Sequence, residues 1–236
     1  MTRRTISREE RNRIIIENAK SLIRNQGIVS FKFSDLGRIS NCSNSTVYDL
    51  FNCKEDVIVT IFNNNLSRMY DFNCALMKYQ KASPKQKLYT IQLQELFSIS
   101  STHNADSICN FFGVSQFVSD HADPYLTSET FRLLKRLRSQ RESILREAII
   151  SGDLQMTEED IESSDFELLS MLSYRGMVAL CMNKFSNELS LDITEEKMHK
   201  ITSNNIEMLP WISNEVPSLE LIKEIFEDLN CGPIES

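Results

Sequence analysis

Apolar residues recur along this chain at the i, i+3, i+4 spacing of a single helix face, and no stretch shows the strict alternation of a strand. A first helix is predicted from Arg8 to Gln26, with Ile15, Ala19, Leu22 and Ile23 facing inward and Gly27 as its stop. Leu36 and Ile39 mark a short second helix, and Val47, Leu50 and Phe51 mark a third. A long helix starts near Glu55, where acidic residues suit the positive end of its dipole, and carries Ile58, Ile61, Phe62, Leu66, Met69, Phe72 and Leu76 on one side. Ser83-Pro84 and Asp123-Pro124 each read as a cap followed by the first position of a helix. The stripe after Asp123 (Leu126, Leu133, Leu134, Leu137, Ile144, Leu145, Ile149) ends at Gly152, and Phe111, Phe112, Phe117 and Val118 predict a buried helix between the two. The stretch 166–185 is apolar on nearly every side in its middle, so it needs two neighbours. A helix near Thr194 carries Met198, Ile201, Ile206 and Leu209, and a last short one spans Leu219 to Leu229.

The connection between the second and third helices is the informative one. Asn41-Cys42-Ser43 places at the helix stop an asparagine, which tolerates the left-handed backbone, and a serine where the next helix needs an N-cap. The apolar stripe of that next helix leaves Ser45, Tyr48, Asp49 and Asn52 pointing outward. A polar and aromatic row of this kind suits base edges and phosphates, whereas an ordinary solvated helix carries lysine and glutamate pairs. The pair reads as a helix-turn-helix.

The order and spacing of Gly27, Asp35-Leu36, the turn 41–43, Thr46-Val47-Tyr48, Phe51 and Lys54-Glu55 resemble the N-terminal domain of the TetR/AcrR family of transcriptional regulators over roughly residues 8–62. A weaker echo lies in the stretch 146–154. The resemblance implies an all-α chain with a three-helix DNA-binding domain at residues 1–62 and a larger ligand-binding and dimerisation domain at 63–236. It implies a homodimer on a palindromic operator, a repressor's role, and release by a small, apolar effector. Two positions depart from the family pattern: Lys32 stands where threonine or serine usually opens the second helix, and Ser45 replaces a usual glycine. The cap and phosphate contact at Lys32 then shift to Ser34 or to the lysine charge.

The DNA-binding candidates are Arg3, Arg4, Lys32, Ser34, Ser43, Asn44, Ser45, Thr46, Tyr48, Asp49 and Lys54. Tyr48 and Lys54 are assigned to phosphates, and Asn44, Ser45, Thr46 and Asp49 to sequence reading. Arg3 and Arg4 read either as an arm for the minor groove or the phosphates, or as a disordered cationic terminus. Charge agrees with the division: residues 1–62 hold ten Lys+Arg against seven Asp+Glu, net +3, while residues 63–236 hold sixteen against twenty-six, net −10. An acidic chain binds DNA when its cations share one surface.

For the larger domain, Phe97, Phe111, Phe112, Phe117, Tyr125, Met171 and Tyr174 are candidate ligand-lining residues, with plain core as the alternative. Tyr174, Gly176, Ala179, Met182, Met198 and Ile201 are candidates for a four-helix dimer interface, because Gly176 and Ala179 allow close approach. The basic run 132–138 has interleaved leucines and reads as a solvated face in preference to a second nucleic-acid site. Six scattered cysteines without CxxC spacing read as reduced thiols, with redox sensing at Cys42 and Cys53 the alternative. No signal peptide, membrane span, cofactor or metal site is expected, and a cytoplasmic location follows. Without a phosphate-binding glycine loop, HExxH or GxSxG, and with His103, His121 and His199 isolated, an enzyme is not expected. The rival reading is a helical architectural or protein-interaction DNA-binding protein that lacks a small-molecule switch.

Overall fold

In a computed structural model, residues 6–100, 105–181, 188 and 193–229 are described, and every regular element among them is a helix. One isolated antiparallel bridge joins Leu154 and Trp211. The helices are α1 (Arg8–Gln26), α2 (Asp35–Ile39), α3 (Asn44–Tyr48), α4 (Lys54–Met77), α5 (Pro84–Ser100), α6 (Ala105–Phe112), α7 (Gln116–His121), α8 (Pro124–Ser151), α9 (Glu158–Ser163), α10 (Phe166–Cys181), α11 (Glu195–Ile206) and α12 (Leu219–Asp228). None of the described helices is long and apolar enough to cross a membrane.

The chain divides into two compact units: residues 1–66 with 103–132, and residues 67–102 with 133–236. The first boundary falls close to the expected 62/63, but the expected second domain loses residues 103–132 to the first unit. The physical reason is burial. Ala105, Cys109, Val118 and Ala122 join one apolar cluster with Ile15, Ala19, Ile23, Leu36, Val47, Phe51 and Ile61.

In unit one, local chemistry sets each end of α1. The Ser7 hydroxyl accepts from Glu10 N at 3.1 Å, Glu9 and Glu10 occupy the first turn, and Gly27 at φ 82° donates its N–H to Ile23 O. Two asparagines of α4 that enter this unit's interior find partners: Asn63 donates to Leu126 O and accepts from Thr130, and Asn65 donates to Asn110 Oδ1 at 2.7 Å.

In unit two, α5 packs against α10, α11 and α12. A capping box opens α5, with Gln86 N donating to Ser83 Oγ and Ser83 N donating to Gln86 Oε1. Two lysines of α5 are buried. Lys87 donates to Glu147 at 2.9 Å, and Lys85 donates to Glu207 at 2.8 Å and to Ser213 O at 2.9 Å. The basic run of α8 is solvated as expected: Arg132 pairs with Glu129, Arg138 with Glu142, and the Arg136 guanidinium stacks over Tyr70 at 4.5 Å.

Candidate nucleic-acid interface

The turn between α2 and α3 is built from residues that make it at low cost. Asn41 adopts φ 50°, so the chain leaves α2 through the left-handed region. Ser43, in extended conformation, accepts from Thr46 N at 3.2 Å, and its hydroxyl also lies 2.7 Å from Ser45 Oγ and 2.9 Å from Thr46 Oγ1. Buried Gly37 permits the tight approach, since a Cβ there would stand 2.4 Å from Asn44 Oδ1 and 3.1 Å from Cys42 O. Periodicity alone passes over this residue. A glycine in the middle of a five-residue helix is costly for the helix, and that cost was the available signal.

Val47 and Phe51 enter the core beside Leu36, while Asn44, Ser45, Tyr48 and Asp49 are exposed. The Tyr48 ring stands edge-on to Phe33 at 5.2 Å, which directs it while leaving more than half its surface free. Arg8 Nη2 donates to the Asp49 carbonyl at 3.3 Å, tying the start of α1 to the end of α3. Asn18 donates to Ser40 Oγ at 3.1 Å and ties the middle of α1 to the end of α2.

Not every candidate stands in this row. Thr46 is half-buried with its hydroxyl turned to Ser43. Ser34 is exposed but makes no capping hydrogen bond, so the cap expected there is absent, and Lys32 is an exposed cation at the turn that leads into α2. Lys54 is committed elsewhere: its ammonium donates to Val29 O at 2.9 Å and sits 4.4 Å over the Phe31 ring. Burial lowers its pKa, which Glu55 opposes. Its first task is to hold the α1–α2 loop. Arg3 and Arg4 lie outside the described residues. Cys53 donates to His121 O at 3.5 Å, and burial pushes its thiol up to about 11, which argues against the redox reading for that residue.

No protein-family model matches the sequence, and no curated protein matches it. Solved structures do match. A proposed TetR-family transcriptional regulator of Mesorhizobium loti aligns at a TM-score of 0.61 and 13% identity, over 86% of this chain and 96% of its own. FadR of Bacillus subtilis, a transcriptional regulator in complex with stearoyl-CoA, aligns at 0.56 and 18%, over 84% and 97%. AmtR of Mycobacterium smegmatis aligns at 0.56 and 14%, over 98% of each chain. The chain has the fold of TetR-family regulators.

Within that TetR-type fold the remaining candidates separate. Met171 and Tyr174 line a small cleft of unit two with Gln92, Leu96, Arg141 and Glu167, holding about 20 Å³ of free space. Phe111 and Phe112 are half-buried in unit one and meet edge-to-face at 5.2 Å, while Phe117 and Tyr125, also in unit one, are 65% and 78% exposed. Of the described ligand candidates, Met171 and Tyr174 share the cleft of unit two and the other four belong to unit one, where the buried helix expected to carry Phe117 turns that ring to solvent. Its ring packs instead on His121, 4.7 Å away. The side chain of Phe97 lies outside the described residues.

Of the dimer candidates, Gly176 and Ala179 are exposed, with nothing within 4 Å of a Cβ placed at Gly176. Tyr174 and Ile201 are half-buried, and Met182 lies outside the described residues. Met198 corrects the expectation: it is fully buried in unit two, because α11 turns that side inward in packing against α5 and α10. Sequence reading missed the outer stripe of α10 in part, since exposed Leu168 and Leu172 extend the face of Gly176 and Ala179 by further helical turns.

Proposed function

We propose that the chain is a sequence-specific, DNA-binding transcriptional regulator of the TetR type, a repressor that binds a palindromic operator as a homodimer and is released by a small molecule held in unit two. The carrying observation is the helix-turn-helix: α3 buries Val47 and turns Asn44, Ser45, Tyr48 and Asp49 outward. In the proposed complex Tyr48 and Lys32 contact phosphates. Asn44, Ser45 and Asp49 read base edges, Asp49 by accepting from cytosine N4 in the major groove. Lys54 keeps a phosphate role only through donors that Val29 leaves open, since an ammonium has three. Two reading helices on a twofold axis match half-sites about 34–36 Å apart. The outward stripe of Leu168, Leu172, Gly176 and Ala179 supports α10 as the surface where the copies pair.

The effector reading rests on the cleft. Its lining mixes Leu96 and Met177 with Gln92, Ser170, Ser173, Thr202 and Asn205, which fits a molecule with an apolar body and hydrogen-bonding groups better than a wholly apolar one. Its free space holds about one water, so an effector enters only by displacing side chains. The same small volume favours a second reading, a DNA-binding architectural protein without a switch.

The test is sequencing of random DNA fragments retained by the purified protein at two salt concentrations. Enrichment of a palindrome that survives the higher salt supports the regulator. Retention without a shared motif, lost steeply with salt, supports the architectural reading.

A further inference from the structure

Asp56 is 1% exposed, and each of its carboxylate oxygens accepts a short backbone hydrogen bond. Oδ2 takes the N–H of Asn52 at 2.7 Å, and Oδ1 takes the N–H of Asp123 at 2.7 Å. The first bond is local, reaching back from the first turn of α4 to the residue two before that helix starts. The second crosses 67 residues and has no local explanation.

Asp123 stands where α8 needs an N-cap: its side chain accepts from Tyr125 N at 2.7 Å, and its carbonyl accepts from Thr127 N at 3.1 Å. In a capping box the carboxylate that takes the N-cap N–H comes three residues later in the same helix. Here that position is Leu126, which has no acceptor, and the carboxylate arrives from α4 instead. The α7–α8 corner is fastened a second time next door, where Cys53 Sγ meets His121 O. One buried anion thus fixes both the chain just past α3 and the first turn of α8, entirely within unit one.

We propose that Asp56 is a positioning residue for the reading helix: by holding residue 52 and the N-cap of α8 together, it sets the stance of α3 on DNA and makes the start of α8 part of the reading unit. This rests on the DNA-reading proposal above. A residue that merely stabilised the fold would lower specific and non-specific binding in the same ratio, because it would only change how much protein is folded. A positioning residue lowers the ratio itself, because phosphate contacts tolerate a shifted helix and base contacts do not.

Asp56→Asn keeps the shape and replaces one acceptor oxygen with a donor. In the full chain, amide hydrogen exchange followed by NMR is expected to speed at Asn52 or Asp123 by about tenfold, with the α1 amides at residues 15–23 unchanged. The affinity ratio for a duplex selected by the wild type over a scrambled duplex is expected to fall about tenfold, with scrambled-duplex binding retained. Asp56→Ala, which removes both acceptors, serves as the second variant and is expected to free both amides. A selective wild type whose ratio is unchanged in Asp56→Asn, or whose two affinities fall equally, overturns this inference alone, as does unchanged exchange at both amides. A wild type with no selectivity overturns the DNA-reading proposal, and this inference with it.

Discussion

The two units hold their most buried charged groups differently, although unit one also contains a half-buried ion pair, Lys20 with Asp106 at 3.0 Å. Unit one holds its fully buried carboxylate through backbone, Asp56 on the N–H groups of Asn52 and Asp123, while Asn63 and Asn65 combine backbone carbonyls with side-chain partners. Unit two buries cations and pairs them with side-chain anions distant in sequence, Lys87 with Glu147 and Lys85 with Glu207, the carbonyls of Met77 and Ser213 serving as further acceptors, while half-buried Arg141 meets Glu167 with Nε 3.1 Å from Oε2. Backbone groups have fixed positions, so the first arrangement holds a surface in one shape. Ion pairs between long side chains stabilise while leaving geometry adjustable, which suits a part of the molecule proposed to open for a ligand.

The contrast is sharpest at Lys87, whose side chain is 3% exposed against 47% for Glu147. Glu147→Gln strands a buried cation and is expected to destabilise unit two by about 3 kcal/mol, whereas Lys87→Met leaves a carboxylate that water can reach and should cost less than half as much. Urea denaturation of both variants checks this, and equal losses would break the asymmetry. In unit one the largest effect falls on backbone packing. Gly37→Ala drives a methyl against Asn44 and the Cys42 carbonyl, an expected loss of about 2 kcal/mol in the same assay.

A smaller effect follows from the turn. Ser43→Ala removes the N-cap of α3 and should cost about 1 kcal/mol, with a further loss of DNA retention because the Ser45 and Thr46 hydroxyls lose their common partner. The smallest concerns Cys53, whose thiol is pushed up to about 11 by burial. Its folded-state pKa is raised, so the contribution to stability is complete below pH 9 and is lost as pH climbs toward 11. Alkylation by iodoacetamide at pH 8 should accordingly run about a hundredfold slower at Cys53 than at a free model thiol. A matching rate would mean that the site opens readily.

The legible parts of the fold were those whose causes are local. Helix periodicity, the Asn41 left-handed residue, the Ser43 and Ser83 caps and the Gly27 stop each follow from a few adjacent residues, and the structure has them in place. The outward row of α3 was legible for the same reason. What escaped depends on residues far apart in sequence: the transfer of 103–132 to unit one, the inward turn of Met198, and the buried lysines of α5. Lys54 illustrates the limit, since its position implied a phosphate partner and only the fold brings the Val29 carbonyl and the Phe31 ring to it. Asp56 reads in sequence as an ordinary first-turn acid, and its second bond needs the fold to be seen.

The central claim is that the exposed row of α3 reads bases. The direct measurement is a base-preference profile from random duplexes for the wild type and Asp49→Ala, side by side. The account predicts that the variant loses preference at one position in each half-site and keeps it elsewhere; an unchanged profile would contradict direct reading by Asp49.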